Sequence, residues 1–552
     1  MSASIEPATP TACFETHHVD NQPPLFEPRD LWQDDAVLRE AVTRNGAGQH
    51  VPHLQAYGRL AGDELYRIGF DANRDRPRLR THDRFGHRID VVEFHPAYHR
   101  LMDAAKANGV AGLSWHAPMP GAHVARAALS YLHHQAEAGT SCPLTMTHAA
   151  VPVLRRQPGL EAWADKACAP VYDPRDVPIG DKDGITLGMG MTEKQGGSDV
   201  RRNGTVAAPL QADGEYALVG HKWFFSAPMS DGWLVLAQAP GGLSCFLMPR
   251  RLPDGGKNAF RLMRLKDKLG DWANASGEVE FCNAWVLRVG PEGRGVATII
   301  EMVMLTRLDC MLGAAAQMRM ALAQAIHHAR HRHAFGRVLA EQPLMRNVLA
   351  DLALEAEAAL ALAMRVARAV DAAPHDPRQA AFARVATAAG KYWLCKRAPA
   401  FVNEAQECLG GAGYVEESIL PRLYRQAPLN SIWEGSGNIQ CLDVLRALTQ
   451  EPACLDALRA EFAAAGHLSR AVAGQAEALL AAFAGRQVDE TTARLAVERL
   501  GLLLQAAELL AAGSPAAEAF VRSRLEGGHG LAFGTLPADI DVAMLLERAL
   551  PQ

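Results

Sequence analysis

Three long helical patterns follow one another in the second half of this 552-residue chain, roughly Val296 to His333, Pro343 to Val370 and Arg378 to Leu409, all rich in Ala, Leu and Met. Helices of that length bury their apolar faces against one another, so the stretch is expected to form a bundle. One bundle does not account for the whole chain, because a single hydrophobic core rarely serves so many residues. The texture ahead of it differs. Between about Gly184 and Gly295 short runs appear, TVAAPL, EYALVG, DGWLVLAQA, LSCFLMP and GEVEF, each bounded by Gly, Asp, Asn or Pro. They predict an antiparallel β-domain. From Leu31 to about Lys182 the apolar spacing is helical again, most plainly in HVARAALSYLHHQAEAG (His123 to Gly139). The expected order is an irregular arm over 1–30, a helical domain over 31–183, a β-domain over 184–295, a helical bundle over 296–450 and a further helical domain over 451–552.

Composition excludes several classes. Hydrophobic content of 49% with 21% charged residues suits a globular protein. The net charge of -5 carries no overall signature for nucleic acid. From Glu451 to Gln552 there is no lysine, and eight arginines against thirteen acidic residues give 8 − 13 = −5, the formal charge of the whole chain. No two of the ten cysteines lie closer than thirteen positions, which is not a zinc or redox spacing. The N-terminus lacks the apolar core of a secretory signal, and no apolar run reaches membrane-spanning length. A soluble, cytoplasmic protein with reduced thiols is the expectation.

The chemistry concentrates in a few segments. In NSIWEGSGNIQCLD (Asn430 to Asp443) a lone carboxylate, Glu434, follows Trp433 and precedes Gly435-Ser436-Gly437-Asn438 and a helix from Ile439. A carboxyl beside an aromatic ring is readily desolvated, which raises its basicity, while the helix dipole opposes this. Glu434 is therefore a candidate general base. The same residues also suit a plain loop with an N-cap at Ser436 or Asn438. GMGMTEKQGGSD (Gly188 to Asp199) crowds four glycines with Thr192 and Ser198, and clustered backbone N–H groups suit anionic or carbonyl oxygens. GHKWFFSAP (Gly220 to Pro228) offers a flat apolar wall beside the Ser226 hydroxyl, although core packing explains any one of its aromatics. HHARHRHAFG (His327 to Gly336) closes a long helix with arginines suited to phosphate. His327 and His331 stand at i and i+4, but no HExxH or neighbouring carboxylate supports a metal, and none is expected. CLGGAGY (Cys408 to Tyr414) ends a helix rather than a strand, unlike a dinucleotide loop.

These segments, in this order over about Leu31 to Thr449, resemble the acyl-CoA dehydrogenase family. MTEKQGGSD, LKDKLGDWANAS (Leu265 to Ser276), EQPLMR and NSIWEGSGN are most similar to its AidB-like branch of flavoproteins linked to the DNA alkylation response. The resemblance implies a mainly α fold with a central β-domain, a bound FAD and an additional C-terminal helical domain. It implies an oxidoreductase in which Glu434 abstracts the α-proton of an acyl-CoA thioester with hydride transfer to flavin N5. Met191, Thr192, Ser198, Phe224 and Ser226 match flavin and pyrophosphate contacts. Arg332 and Phe335 match contacts made across a subunit boundary, with Gly410 and Gly411 nearby, and Ser436 and Asn438 complete the cofactor set. A homotetramer follows from that sharing, and electron-transfer flavoprotein or another acceptor would take the electrons.

There are departures. Pro343 and Glu407 stand where many relatives carry glutamine, the loop reads Thr192-Glu193-Lys194-Gln195, and Thr306 occupies the position of the base in other branches. The alternative implied by the AidB-like branch is a flavoprotein protecting double-stranded DNA with weak or vestigial dehydrogenase activity. Its candidate phosphate contacts are Arg446, Arg522 and Arg524, since local patches bind phosphate whatever the total charge.

Overall fold

The computed structural model describes residues 16–550, so the first half of the expected arm lies outside the described residues. Shorter helices occupy most of residues 36–168, and two of them, α1 (Ala122–Ala136) and α2 (Ser141–Arg155), are buried along most of their length. One interruption was not expected in this region. The strands β1 (Arg78–His82) and β2 (Arg88–Glu93) form an antiparallel hairpin. Its charged RLRTH run carries no apolar alternation. The Asp83–Gly86 turn is closed by the Asp83 carboxylate accepting the backbone N–H of Phe85 and His87.

The β-domain comprises β3 (Leu187–Gly190), β4 (Val206–Pro209), β5 (Glu215–Ser226), β6 (Gly232–Ala239), β7 (Gly242–Pro249), β8 (Phe260–Leu265) and β9 (Ser276–Val289). The order β3-β6-β4-β5-β9-β7, with β6 also paired to β7, closes the sheet on itself. Pairing is mostly antiparallel as expected, but β3 runs parallel to β6. Two strands escaped sequence reading. In β3, Gly188 and Gly190 replace the usual β-branched residues, because a Cβ there would stand 2.2 Å from the Trp233 ring and 2.7 Å from the Phe225 ring. In β8, the exposed Arg261 and Met263 alternate with the buried Phe260 and Leu262.

The expected bundle is built on α3 (Gly295–His331), α4 (Pro343–Ala372) and α5 (Pro377–Glu407). All three pack against one another, and α3 also packs against α1 and α2, which explains why it is buried almost without a break from Met302 to Ala329. Pro343, a departure in sequence, simply opens α4 at a position where no backbone donor is needed. Beyond α6 (Gly437–Gln450) come α7 (Pro452–Gly466), α8 (Arg470–Ala484) and α9 (Ala493–Ala511), and the chain ends with α10 (Val542–Ala549). This C-terminal unit lies on α4 and α5 along a seam of ion pairs. Arg524 meets Asp351 at 2.5 Å and Glu355 at 3.0 Å, Arg548 meets Glu357 at 2.8 Å, and Glu461 meets Arg365 at 2.7 Å. Among the described residues no helix is long and apolar enough to cross a membrane.

Candidate active site

Glu434 sits in the turn between a short 3-10 segment, Leu429–Ser431, and the start of α6. Its backbone has φ 58°, in the left-handed region that costs a side-chain-bearing residue of the order of 1–3 kcal/mol. The surrounding bonds hold it there. The carbonyl oxygen of Glu434 accepts Arg307 Nε and Gln440 Nε2, each at 3.0 Å. Its carboxylate Oε2 accepts the Thr306 hydroxyl at 2.6 Å. Burial raises the Glu434 carboxyl above the ordinary carboxylate range, against the opposing pull of the Thr306 hydroxyl, Lys391 and Arg307. Arg307 does not neutralise it, because that guanidinium faces Asp443 at 2.6 Å, an acid shared with Arg384 at 2.8 Å. The neighbouring thiols are neutral, with Cys142 pushed up to about 12 by burial and Cys310 pushed well up for the same reason.

The α6 helix begins at Gly437 with Ser436 as its N-cap, yet the Ser436 side chain makes no capping bond. Asn438 is engaged elsewhere, its Oδ1 accepting Arg494 Nε of the C-terminal unit at 2.9 Å. Trp433 packs between two hydrophobic clusters and donates its indole N–H to Asn430 at 3.0 Å.

A second group of residues lines up on the β-domain. Thr192 follows β3, and its carbonyl accepts the Trp223 N–H of β5 at 2.9 Å, which ties Thr192 to the strand that carries Phe224 and Ser226. Between Lys222 and Phe225 the register of β5 against β9 shifts, a bulge that turns Trp223 and Phe224 outward together. Phe225 instead enters the core against Trp233 at 4.9 Å, so the packing explanation holds for that ring alone. Phe224 is 52% exposed. A Cβ on Gly197 would stand 2.4 Å from Thr192 Oγ1, so glycine keeps that hydroxyl accessible. The loop is anchored by Glu193. Its fully buried carboxylate pairs with Lys222 at 2.7 Å and accepts the N–H groups of Gly204 and Thr205. Although burial pushes it up, these donors hold Glu193 down to about 2. Thus the altered Thr192–Gln195 sequence keeps an inward-facing acid and leaves Ser198 exposed.

Other predicted residues lie apart. Arg332 follows α3 and donates to the Asn21 carbonyl at 2.5 Å, so the described part of the arm covers one side of it. Phe335 is 98% exposed at the tip of the small β10–β11 hairpin (His333–Ala334, Arg337–Val338), uncovered among the described residues. Gly410 and Gly411 are exposed in the turn after α5, with Gly410 at φ 60°. Of the arginines considered for DNA, Arg446 is exposed, Arg522 is tied to Asp539 at 2.6 Å, and Arg524 is turned inward onto Asp351 and Glu355. Arg524 therefore offers no surface charge to a phosphate. Sequence reading missed Arg307, Lys391, Gln440 and Asp443. Lys391 left one signal, a single charge inside the buried ATAAGKYWLC stretch of α5.

Comparison with known proteins follows the same division of the chain. Residues 21–174 match the N-terminal domain of adaptive response protein AidB. Residues 188–284 and 293–449 match the middle and C-terminal domains of acyl-CoA dehydrogenases. AidB of Escherichia coli (strain K12) is 51% identical over 453 residues, 81% of this chain and 83% of that protein. The chain belongs to the acyl-CoA dehydrogenase family, in its AidB-like branch. Acyl-CoA dehydrogenase family member 11 of Caenorhabditis elegans is 30% identical over 431 residues, 75% of this chain and 69% of that one. The crystal structure of C. elegans ACDH-11 in complex with C11-CoA superposes with a TM-score of 0.82 at 25% identity, covering 98% of this chain and 93% of the other. The acyl-CoA dehydrogenase fold with an added C-terminal helical domain is thus the architecture seen here, and the chain is an oxidoreductase of that family.

Proposed function

We propose that this chain is an FAD-dependent acyl-CoA dehydrogenase in which Glu434 is the base that removes the α-proton of an acyl-CoA thioester. The observation carrying this reading is the Glu434 turn itself. Its carboxyl is raised by burial and bonded by a neutral hydroxyl rather than by a guanidinium, which leaves it able to take a proton. The Glu434 N–H donates to no group among the described residues, so it is free to polarise a thioester carbonyl from the same residue that acts on the adjacent carbon.

The β-domain residues fit the cofactor. The accessible Thr192 hydroxyl, the outward Phe224 and the Ser226 hydroxyl share one face of the domain, and these, with Met191 and Ser198, would hold the flavin and its pyrophosphate. When bound, the isoalloxazine supplies the acceptor for the hydride that leaves the β-carbon. Arg332, Phe335, Gly410 and Gly411 would meet a cofactor only across an interface between copies of this chain, an arrangement supported by the exposure of Phe335. An acyl-CoA substrate is supported by the C11-CoA complex of the C. elegans relative. The DNA-protection alternative is less well supported, since Arg524 is buried in the seam and the C-terminal unit is net acidic.

The test is anaerobic bleaching of the bound flavin by butyryl-CoA, isovaleryl-CoA and C11-CoA. The expected result is bleaching by at least one thioester, and a loss of about 10³-fold or more in Glu434→Gln with FAD content unchanged. Bleaching of Glu434→Gln at the parent rate would remove the assignment. Steeply salt-dependent binding to duplex DNA, in a protein no thioester bleaches, would favour the alternative.

A further inference from the structure

Lys391 is 1% exposed, yet its ammonium is held by two backbone carbonyls rather than by a carboxylate. Those carbonyls belong to Trp433 at 2.7 Å and Gly435 at 2.5 Å, the residues on either side of Glu434. Gln440 reinforces the arrangement at the Gly435 carbonyl, at 2.9 Å. With Arg307 and Gln440 on the Glu434 carbonyl, side chains satisfy three consecutive backbone oxygens, while the N–H between the first two stays unpartnered. Fixing the oxygens on both sides of a left-handed residue fixes the direction of its N–H and the root of its side chain together.

The charges facing the turn leave Lys391 with a second task. From α3 come the neutral Thr306 and Cys310 and the cation Arg307, whose charge is matched by Asp443. The acid Asp443 comes from α6 and is shared with Arg384 of α5, while α2 brings the neutral Cys142. Lys268 and Asp271 act on Cys142 in opposite senses. Among the described residues, Lys391 is thus a buried cation acting on Glu434 that no carboxylate contacts, while Lys396, near Gly437, is exposed. An isolated buried ammonium is costly, so it persists where something nearby needs its charge.

We infer that Lys391 is a positioning residue for the reaction, clamping the turn through the carbonyls of Trp433 and Gly435 and supplying the counter-charge that lets the buried Glu434 ionise. This rests on the reading of Glu434 as the base. It adds a single side chain that aims both the base and the oxyanion donor.

The experiment measures the flavin-bleaching rate of the FAD-loaded protein against pH, with butyryl-CoA, isovaleryl-CoA or C11-CoA, whichever bleaches the parent fastest. In Lys391→Met the acid limb of the profile is expected to move up by about one pH unit or more, because removing a nearby cation favours the protonated carboxyl. Lys391→Arg should return the limb to the parent position. Gln440→Met, which takes a donor from the Glu434 and Gly435 carbonyls without changing charge, should slow bleaching and leave the limb where it was. An unmoved limb in Lys391→Met with normal FAD content overturns the inference. Should that variant fail to fold, Lys391→Gln keeps a donor for the carbonyls and carries the same readout. Glu434→Gln, run alongside, separates the two ideas. If it bleaches normally the base assignment fails, whereas a dead Glu434→Gln with an unmoved Lys391→Met limb removes Lys391 alone.

Discussion

Two settings of buried acid in this molecule invite comparison. On α4, Asp351 is 0% and Glu355 is 1% exposed, and both are met by guanidinium groups, Arg524 for each and Arg397 in addition for Glu355 at 3.1 Å. His529 and the Gly534 N–H complete the Asp351 shell at 2.7 and 2.8 Å. Burial pushes both carboxyls up, but these partners prevail and hold them below the ordinary range. At Glu434 the balance tips the other way, because the carboxylate receives one hydroxyl and the nearest arginine is turned to a carbonyl and to Asp443. Burial alone does not leave a carboxyl raised. What distinguishes the two sites is the withholding of a guanidinium.

The comparison can be broken in several ways. The largest contrast is between Glu434→Gln and Glu355→Gln in flavin bleaching, where only the former should lose the ~10³-fold expected of a general base. Equal losses would erase the distinction. Next, Arg524→Met should destabilise the fold by about 2 kcal/mol or more by removing the guanidinium shared by Asp351 and Glu355 and leaving them to His529 and Arg397, read as a lower urea midpoint. A change below about 1 kcal/mol would show the seam to be ornamental.

The pH responses should run in opposite senses. Asp351 and Glu355 have depressed folded-state pKa values, so the stability they contribute is present above the ordinary carboxylate range and lost as pH falls through the depressed values. Glu434 is raised, so bleaching should fail as pH drops while still above that range, before the fold is lost. Parallel measurements of bleaching rate and unfolding midpoint across pH check this, and coincident losses would contradict it. The smallest effect is expected for Arg494→Ala, which removes the bond to Asn438 from an exposed position and should cost no more than about 1 kcal/mol.

Much of the architecture was legible because length and periodicity are properties of sequence. The three long patterns became α3, α4 and α5 with ends displaced by a residue or two, since their Ala- and Leu-rich faces admit no other packing. Glu434 stood out as a candidate through its neighbours Trp433 and Gly435. Strand β3 was not, because its glycines serve rings supplied by β5 and β6, more than thirty residues further on. Lys391 was not, because its meaning lies in carbonyls forty-odd positions away, and backbone oxygens carry no letter in a sequence. The fate of Arg524 was hidden for a similar reason, as its partners stand on α4.

The seam on α4 has a bearing on what could be cut from this chain. A fragment ending near Thr449 would retain Glu434, Lys391, Thr306 and every β-domain residue considered for the flavin. It would also open the outer faces of α4 and α5 to water, baring Trp393, which otherwise donates to Gln505 at 2.9 Å, together with three acids gathered along one helix. Those acids, of which only Glu355 would keep an arginine, Arg397, would repel one another within a few turns. The final hundred residues therefore act as the outer wall of the bundle, and shortening the protein to its familiar part would leave a site standing in a building with one side removed.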